Sequence, residues 1–531
     1  MARFTSPAAL KGIIRDGGEF AVLDLREEGV FARSHLLFAV SLPLSRLELH
    51  LAALVPRRTT PIVLCDDNGD LAPQAAAKFA RFGYSDITIL DGGISAWQQA
   101  GFELFSGTNV PSKIFGEFVE HHYHTPSISA QDLKNKLNRA EDVIVLDSRP
   151  WEEYRVQNIP GGVCVPGAEL AYRAHELISS PKTLVVVNCA GRTRSIMGAQ
   201  TLINTGLPNP VMALRNGTMG WHLAGFDLEK GASRRAPAVS PVGLQTAKTA
   251  ARRIAARFGV REIDNKILKR WQTESEQRSL YLLDVRGPDE FAGHHLAGSR
   301  NAPGGQLVQA TDSYIGTRNA RLVLIDNDGV RATIVASWLM QMGWREAVVL
   351  RDALSAGPLK TGPAVPPVLG LEDFPAEEIE ADDLAAALKA NKAVVIDLAP
   401  SPEYKAGHVG GAWFAIRSRL AAALARVPHA ETIVLTSPDG VLARLAAADV
   451  SCDAAIKVLR GGTREWRVRG LPLTSGFERM ADNPEDVYLR PYHLGENQQE
   501  EKMRAYLEWE FGLLAQLARD GDLRFTPPAD S

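Results

Sequence analysis

The sequence predicts an α/β protein made of four tandem copies of one small domain, each a parallel sheet flanked by helices on both faces. Two observations predict this class. Short apolar runs that end in aspartate occur four times, at Asp24, Asp147, Asp284 and Asp397. Helical patterns separate these runs, and nearly continuous apolar strands that alternate with helices are typical of a parallel sheet covered on both faces.

Further markers keep a fixed distance from these aspartates. A loop begins 42 residues after the first three, at Asp66, Cys189 and Asp326, and 40 residues after the fourth, at Ser437. In three copies an arginine stands two positions after the aspartate, whereas the fourth copy has Ala399 there. Each copy except the third closes on a turn followed by tryptophan. Self-similarity at fixed spacing indicates repeated structural units.

Linkers are expected where proline and glycine gather, and they divide the chain into five segments. The predicted segments are repeat 1 (1–108), repeat 2 (112–231), repeat 3 (258–360), repeat 4 (371–478) and a polar, partly helical tail (479–531). Residues 240–273 are expected to add one or two amphipathic helices between repeats 2 and 3. The tail is expected to serve as a packing arm.

The composition excludes several classes of protein. Apolar residues make up 45% and charged residues 23% of the chain, as in soluble globular proteins. The net charge of -3 gives no indication of a nucleic-acid or membrane partner. No apolar stretch is long enough to span a membrane, and the first twenty residues do not resemble a secretory signal. The four cysteines are scattered without a CxxC pair, which argues against disulfides and favours a reducing, cytoplasmic setting.

The loop of repeat 2, Cys189–Ser195, has the features of a reactive thiolate site. It follows a predicted strand and precedes a helical pattern, and reactive groups of parallel sheets lie in such turns. Backbone N–H groups, a helix N-terminus and cations all favour a thiolate. Gly191 is expected to permit tight backbone curvature, and Arg192 and Arg194 to add positive charge. The competing interpretation of Cys189 is a small buried apolar residue.

Together these markers resemble the rhodanese homology domain. The shared pattern is Asp-x-Arg after a strand, a glutamate–aromatic pair, a cysteine loop and a Gly-Gly-x-x-x-Trp ending. The glutamate–aromatic pairs are Glu153-Tyr154, Glu290-Phe291 and Glu403-Tyr404. The resemblance covers nearly all of residues 1–478 and is closest to rhodanese-related sulfurtransferases with four repeats, whose second repeat carries the catalytic cysteine. It implies small α/β domains with a parallel sheet of about five strands.

The resemblance also implies an activity, the transfer of sulfane sulfur through a persulfide on Cys189. In this family the arginine of the Asp-x-Arg marker helps to bind an anionic substrate, which assigns that role to Arg149; a salt bridge with Asp147 or Glu153 is the alternative. The expected substrate-binding residues share a position beside the thiol: Arg149, Arg192, Arg194, Ala190, Gly191, Thr193 and Ser195. Asp147 and Trp221 are expected to be structural residues near the site.

The other three copies lack the thiol at this position. Asp66 and Asp326 would repel an anionic donor, and Ser437 has no activating arginine because Ala399 replaces it. Cys65 stands one position before the loop, so its side chain is expected to point back toward the sheet. Repeat 1 is therefore expected to be an inactive partner of repeat 2, with repeats 3 and 4 as a second, inactive pair.

The remaining candidate residues are interpreted as structural or solvent-exposed. Cys164 and Cys452 have no supporting loop. The histidines of His121–His124 have no accompanying cysteine or carboxylate cluster, so a metal site is not expected, although one histidine could line the pocket. The glycines form neither a dinucleotide-binding nor a phosphate-binding motif, and no cofactor is expected.

Three functions use a cysteine loop or a domain of this kind. Phosphatases and arsenate reductases of related fold place arginine after five residues, whereas here Arg194 follows Cys189 after four and Ser195 takes the next place. A persulfide carrier or regulatory scaffold would use repeats 1, 3 and 4 as binding modules. A sulfurtransferase fits best, with a small anionic donor such as thiosulfate. Its acceptor would be a thiol, including a cysteine of another protein.

Overall fold

The computed structural model describes residues 3–363 and 365–528. The remaining positions, which fall in the predicted repeat 1, a linker and the tail, lie outside it: 1, 2, 364 and 529–531. Each repeat holds one five-stranded sheet whose paired strands are all parallel, with helices between the strands. The predicted fold class is therefore confirmed.

Repeats 1 and 2 have the same order of elements. Repeat 1 consists of β1 (Arg3–Thr5), α1 (Pro7–Asp16), β2 (Ala21–Asp24), α2 (Glu28–Phe31), β3 (Ala39–Ser41), α3 (Leu47–Leu54), β4 (Ile62–Cys65), α4 (Ala72–Arg81), β5 (Ile87–Leu90) and α5 (Gly93–Gln99). Helix α6 (Val110–Tyr123) leads into repeat 2. Repeat 2 consists of β6 (Ser127–Ile128), α7 (Ala130–Asn138), β7 (Val143–Asp147), α8 (Trp151–Val156), β8 (Val163–Cys164), α9 (Leu170–Arg173), β9 (Leu184–Asn188), α10 (Thr193–Thr205), β10 (Val211–Leu214) and α11 (Gly217–Leu223).

Repeats 3 and 4 each add a short antiparallel pair of strands, His295–Leu296 with Leu359–Lys360 and His408–Val409 with Leu473–Thr474. Helix α12 (Pro241–Phe258) precedes repeat 3, which consists of β11 (Arg261–Ile263), α13 (Asn265–Thr273), β12 (Leu280–Asp284), α14 (Pro288–Gly293), β13 (His295–Leu296), β14 (Arg300–Asn301), α15 (Gly304–Gln309), β15 (Arg321–Ile325), α16 (Val330–Gln341), β16 (Ala347–Leu350) and β17 (Leu359–Lys360). Repeat 4 consists of β18 (Glu378–Ile379), α17 (Ala381–Lys389), β19 (Ala393–Asp397), α18 (Ser401–Ala406), β20 (His408–Val409), β21 (Trp413–Phe414), α19 (Leu420–Leu424), β22 (Thr432–Thr436), α20 (Val441–Ala447), β23 (Ala455–Leu459), α21 (Gly462–Val468) and β24 (Leu473–Thr474). The tail forms α22 (Glu496–Asp520).

Strand order explains why the repeated markers meet in space. In repeat 2 the order is β6-β10-β9-β7-β8, so the strand that ends before Cys189 is central and the strand that ends at Asp147 lies beside it. The same order holds in the other three sheets. Because parallel strands end at one edge, the turn after the repeated aspartate and the loop share that edge in every repeat.

Repeats 2 and 3, rather than 1 and 2, share a hydrophobic core. That core joins side chains such as Leu202 of repeat 2 and Trp338 of repeat 3 with Ile254 of α12. The segments around Gly167 and Gly305 face each other so closely that a Cβ on Gly305 would lie 3.0 Å from the Gly167 nitrogen. The expected pairing of repeat 1 with repeat 2 was wrong, because the apolar faces of α9, α12 and α16 are buried against one another.

Repeat 4 packs against repeat 1 through the corresponding segments. The Arg417 guanidinium donates to the Glu48 carboxylate at 2.7 Å, and both side chains are buried. The Ser418 hydroxyl donates to Glu27 at 2.9 Å. Repeats 1 and 3 also touch, since the Tyr281 hydroxyl donates to the Leu54 carbonyl. The expected pair of repeats 3 and 4 was therefore also wrong.

Candidate active site

The loop that begins at Cys189 lies at the carboxyl end of the central strand of repeat 2. Strand β9 ends at Asn188, and α10 begins at Thr193. The first turn of α11 holds the loop, because the Thr218 N–H donates to the Cys189 carbonyl at 2.8 Å and the Met219 N–H to the Ala190 carbonyl at 3.0 Å. The loop backbone is thus fixed from both sides.

The Cys189 thiol is 2% exposed, yet it lines a cavity of about 230 Å³. Its Sγ lies 3.5 Å from the Ser195 hydroxyl, which itself donates to the Arg192 carbonyl at 2.8 Å. Five cationic side chains and one carboxylate line the cavity: Lys113, Arg149, Arg192, Arg194, Arg490 and Glu153. Such a wall favours an anion beside the thiol.

Arg149 is buried and forms the salt bridge that was its alternative role. Its Nε and Nη2 donate to Asp147 at 2.9 and 2.7 Å, and Nη2 also donates to the Gln157 carbonyl. The corresponding Arg26 of repeat 1 makes the same pair, and its Nη1 donates to Asp67. The position of repeat 2 that corresponds to Asp67 is Ala190, which has no carboxylate. Arg149 Nη1 therefore has no hydrogen-bond partner among residues 3–363 and 365–528.

Arg192 and Arg194 are less free than the sequence suggests. Arg192 donates from Nε and Nη2 to Glu117 of α6 at 2.7 and 2.8 Å, and it also contacts Glu120. Arg194 forms a two-bond pair with Glu153 at 2.9 and 2.7 Å. Burial opposes the charge of Arg194, but Glu153, with smaller contributions from Cys189 and Asp147, raises its pKa above the usual value. Both cations therefore stay charged but are already paired.

Gly191 has a role in addition to the expected one. Its backbone is not in the left-handed region. A Cβ at this position would lie 3.2 Å from Tyr506 Cε1 and 3.3 Å from Glu510 Oε2, both on α22. Glycine thus permits close approach of the tail helix at a point where the loop bends, over residues 190–192.

The other predicted residues lie as follows. Thr193 and Ala190 line the cavity, and the Thr193 hydroxyl donates to Glu510 at 3.4 Å. Asp147 is buried, and its carboxylate accepts hydrogen bonds from the Arg149 guanidinium and the Asn188 side-chain amide. Trp221 lies in the core of repeat 2, where its Nε1 donates to the Asp227 carbonyl at 2.9 Å. It is not among the residues that line the cavity.

The tail covers the cavity, which the sequence did not indicate. Six of its residues line the cavity: Tyr488, Arg490, Pro491, Tyr492, His493 and Tyr506. The Tyr492 hydroxyl is 2.8 Å from the Thr218 hydroxyl, and Met503 packs with Met219. Segment 488–506 is therefore part of the site as well as a packing arm.

No helix in the described ranges is long and apolar enough to cross a membrane. Within the same ranges, no three histidine, cysteine or carboxylate side chains come together as metal ligands. His121 and His122 lie in the last turn of α6, where His122 stacks on Phe118 at 5.1 Å. None of the histidines of His121–His124 lines the cavity.

Comparison with known families gives a match in every repeat. The profile of the rhodanese-like domain matches residues 6–100, 129–224, 264–356 and 380–469. The chain belongs to the rhodanese-like domain family. A crystal structure of a thiosulfate sulfurtransferase from Pseudomonas aeruginosa is 46% identical, covers 99% of this chain and 100% of its own, and superposes with a TM-score of 0.94. These similarities confirm a rhodanese-type sulfurtransferase.

Two curated relatives match shorter segments. A putative sulfur carrier protein from Bacillus subtilis is 29% identical over 136 residues, which is 24% of this chain and 72% of the relative. An HTH-type transcriptional regulator from Mycobacterium tuberculosis is 30% identical over 126 residues, which is 22% of this chain and 55% of the regulator. The chain thus spans only about half the length of the second relative.

In the other three rhodanese-like repeats, the side chain at the cysteine position binds its own loop. The Asp66 carboxylate accepts hydrogen bonds from the N–H groups of Leu71 and Ala72 at 2.6 and 2.9 Å. Asp326 accepts from Gly329 and Ala332, and burial raises its pKa to about 6. The Ser437 hydroxyl accepts from the Ala443 N–H at 3.3 Å.

The remaining cysteines are placed outside the cavity. Cys65 is the last residue of β4, and its buried Sγ lies 3.6 Å from the Leu23 carbonyl. Burial raises the pKa of Cys65 well above its usual value and that of Cys164 to about 12. Cys452 is exposed. The two buried thiols are therefore disfavoured as thiolates.

Proposed function

We propose that this sulfurtransferase takes sulfane sulfur from a small anionic donor of the thiosulfate type and passes it to a thiol through a Cys189 persulfide. The Cys189 thiolate attacks the sulfane sulfur, the sulfur–sulfur bond of the donor breaks, and sulfite leaves with the bonding electrons. An acceptor thiolate then attacks the outer sulfur and restores the Cys189 thiolate. One observation carries the proposal: the position is a thiol in repeat 2 alone, and that thiol lines a cation-rich cavity.

The thiosulfate class of donor has two supports. The chain is similar along nearly its whole length to the thiosulfate sulfurtransferase of Pseudomonas aeruginosa. In addition, cationic side chains outnumber carboxylates in the cavity by five to one. Because charge-assisted hydrogen bonds are the strong ones, a small dianion would be held better than a neutral donor.

Arg490 is the donor-binding residue that the sequence did not single out. It lies in the tail, lines the cavity, and forms no ion pair within 4.0 Å among the described residues. Arg149, Arg192 and Arg194, in contrast, are each paired with a carboxylate. A guanidinium without such a partner has its donors available for the oxygens of the donor.

Replacing Arg490 with glutamine is expected to raise the KM for thiosulfate about tenfold, with kcat little changed, since one charge-assisted hydrogen bond is worth roughly 1.5–3 kcal/mol. Methanethiosulfonate carries one negative charge instead of two, so its KM should rise less. Steady-state kinetics with both donors measure the effect. Arg504→Gln, an exposed arginine of the same tail that does not line the cavity, is the matched control. An equal KM for wild type and Arg490→Gln would show that Arg490 does not bind the donor.

The two-step scheme predicts a defined stoichiometry. With thiosulfate and no acceptor, wild-type protein should release one sulfite per chain and then stop, because the persulfide has nowhere to pass its sulfur. Adding a thiol such as glutathione should restart release. Sulfite assayed after rapid mixing gives the result. Continuous sulfite release without acceptor would contradict a persulfide intermediate.

A persulfide carrier is the second candidate, favoured by the similarity of one segment to a putative sulfur carrier protein. Both functions load Cys189, but they differ in how the sulfur leaves. A carrier would keep its persulfide in the presence of glutathione and yield it only to a protein thiol. Rapid multiple turnover with glutathione would therefore exclude the carrier function.

A further inference from the structure

A second, larger cleft lies between repeats 1 and 3 and the end of the tail. Its volume is about 1340 Å³. Its walls include Phe20, which precedes β2, and Asn319, which precedes β15 by two residues. The cleft therefore lies at the amino ends of the strands, whereas the Cys189 loop lies at a carboxyl end. A ligand here would be separate from the sulfur donor.

The charges of this cleft are unbalanced. Six arginines and three carboxylates line it: Arg15, Arg57, Arg278, Arg318, Arg345, Arg524, Glu19, Glu346 and Asp522. The three carboxylates are already engaged, with Asp522 pairing Arg15, Glu19 pairing Arg57 and Glu346 pairing Arg278. Arg318, Arg345 and Arg524 form no ion pair in the described part of the chain.

Arg318 is the most constrained of these three cations. Its guanidinium lies between two aromatic rings, 4.9 Å from the centre of Phe38 and 4.3 Å from that of Trp344. No described residue accepts a hydrogen bond from the guanidinium, and burial lowers the pKa of Arg318 to about 10. The rings offer no hydrogen-bond acceptor, so the guanidinium N–H groups are left for a ligand. A partly buried charge without a counter-ion is costly, and an anion would remove that cost.

We propose that this cleft binds a small molecule with two or more phosphate-type oxyanion groups. Arg318 would hold one group between the repeats, and the exposed Arg345 and Arg524 would hold another. Three guanidinium groups on three separate segments are more than one small oxyanion requires. Arginine is suited to such groups because its planar fork donates two parallel hydrogen bonds.

Inorganic pyrophosphate is the probe. Titration into full-length protein, followed by calorimetry and by tryptophan fluorescence, should show saturable binding, with the fluorescence change arising from Trp344 beside Arg318. Arg318→Gln should weaken binding about tenfold or more, as expected for loss of a charge-assisted contact. Should Arg318→Gln fail to fold, the double variant Arg345→Gln/Arg524→Gln gives the same test, because both residues are exposed.

Two controls locate the site. Arg490→Gln alters the Cys189 cavity alone, so it should leave pyrophosphate affinity unchanged; a loss of affinity in this variant would place the ligand in the active site and overturn the proposal. Sulfate at the same concentration should compete poorly. Three results would each contradict the proposal: equal affinity for sulfate and pyrophosphate, no binding of pyrophosphate by wild type, or wild-type affinity for pyrophosphate in both cleft variants.

Discussion

Cys189→Ser is expected to lower steady-state sulfite formation from thiosulfate at least about a thousandfold, because removal of a covalent nucleophile abolishes both half-reactions. The serine hydroxyl keeps the size of the side chain but cannot carry a persulfide. The loop should keep its shape, since its hydrogen bonds run through the backbone carbonyls of residues 189 and 190. Assay of sulfite release in the presence of glutathione measures the loss.

Cys65→Ser is the matched control for this change. Cys65 occupies the end of the central strand in repeat 1, is fully buried, and has a pKa raised by burial. We expect wild-type turnover from this variant. Loss of activity in a correctly folded Cys65→Ser protein, or full activity of Cys189→Ser, would assign catalysis to another repeat.

Arg331→Ala is expected to destabilise the joint between repeats 2 and 3 by about 3 kcal/mol, the lower end of the range for a buried ion pair, because its two carboxylate partners are partly exposed. Arg331 is fully buried on α16 of repeat 3. It donates to Glu169 of repeat 2 and to Glu290 of its own repeat, both at 2.7 Å. The change would leave Glu290 without its cation, whereas Glu169 would keep only its pair with Arg173 at 2.7 Å. Urea unfolding followed by tryptophan fluorescence measures the free energy, with Trp338 in the shared core as a reporter.

Arg351→Ala provides the comparison for Arg331. Arg351 pairs with Glu262 at 3.2 Å on the surface of the same repeat, where ion pairs contribute about 0–1 kcal/mol. We expect its loss to change stability little. If Arg331→Ala were no more harmful than Arg351→Ala, the contact between repeats 2 and 3 would not be part of the stable fold.

The fold was predictable because its signals are local and repeated. The strand ending in Asp147 and the loop beginning at Cys189 have counterparts in the other copies at a spacing of 40 or 42 residues, and this predicts both the element order and the shared edge of the sheet. The pairing of repeats was not predictable. It depends on which apolar faces meet, as where Gly167 approaches Gly305, and residues so far apart in the chain leave no periodic signal.

The candidate site was predictable only in part, because some of its residues are far apart in the chain. The loop and the Asp147–Arg149 pair follow from short motifs. The carboxylates that pair with Arg192 come from α6, and Arg490 comes from the tail, about three hundred residues from the loop. The sequence indicates that a glycine is needed in the loop at Gly191. The close approach of Tyr506 to this glycine follows only from the tertiary structure.

Mapping the persulfide shows whether sulfur passes through Cys189. Wild type, Cys189→Ser and Cys65→Ser are each incubated with thiosulfate, alkylated and analysed by intact-protein and peptide mass, with Cys452→Ser as background because Cys452 is an exposed thiol. We expect one added sulfur on the Cys189 peptide in every variant except Cys189→Ser. Sulfur on Cys65 or Cys164 in place of Cys189, or none on any cysteine with thiosulfate, would contradict this expectation.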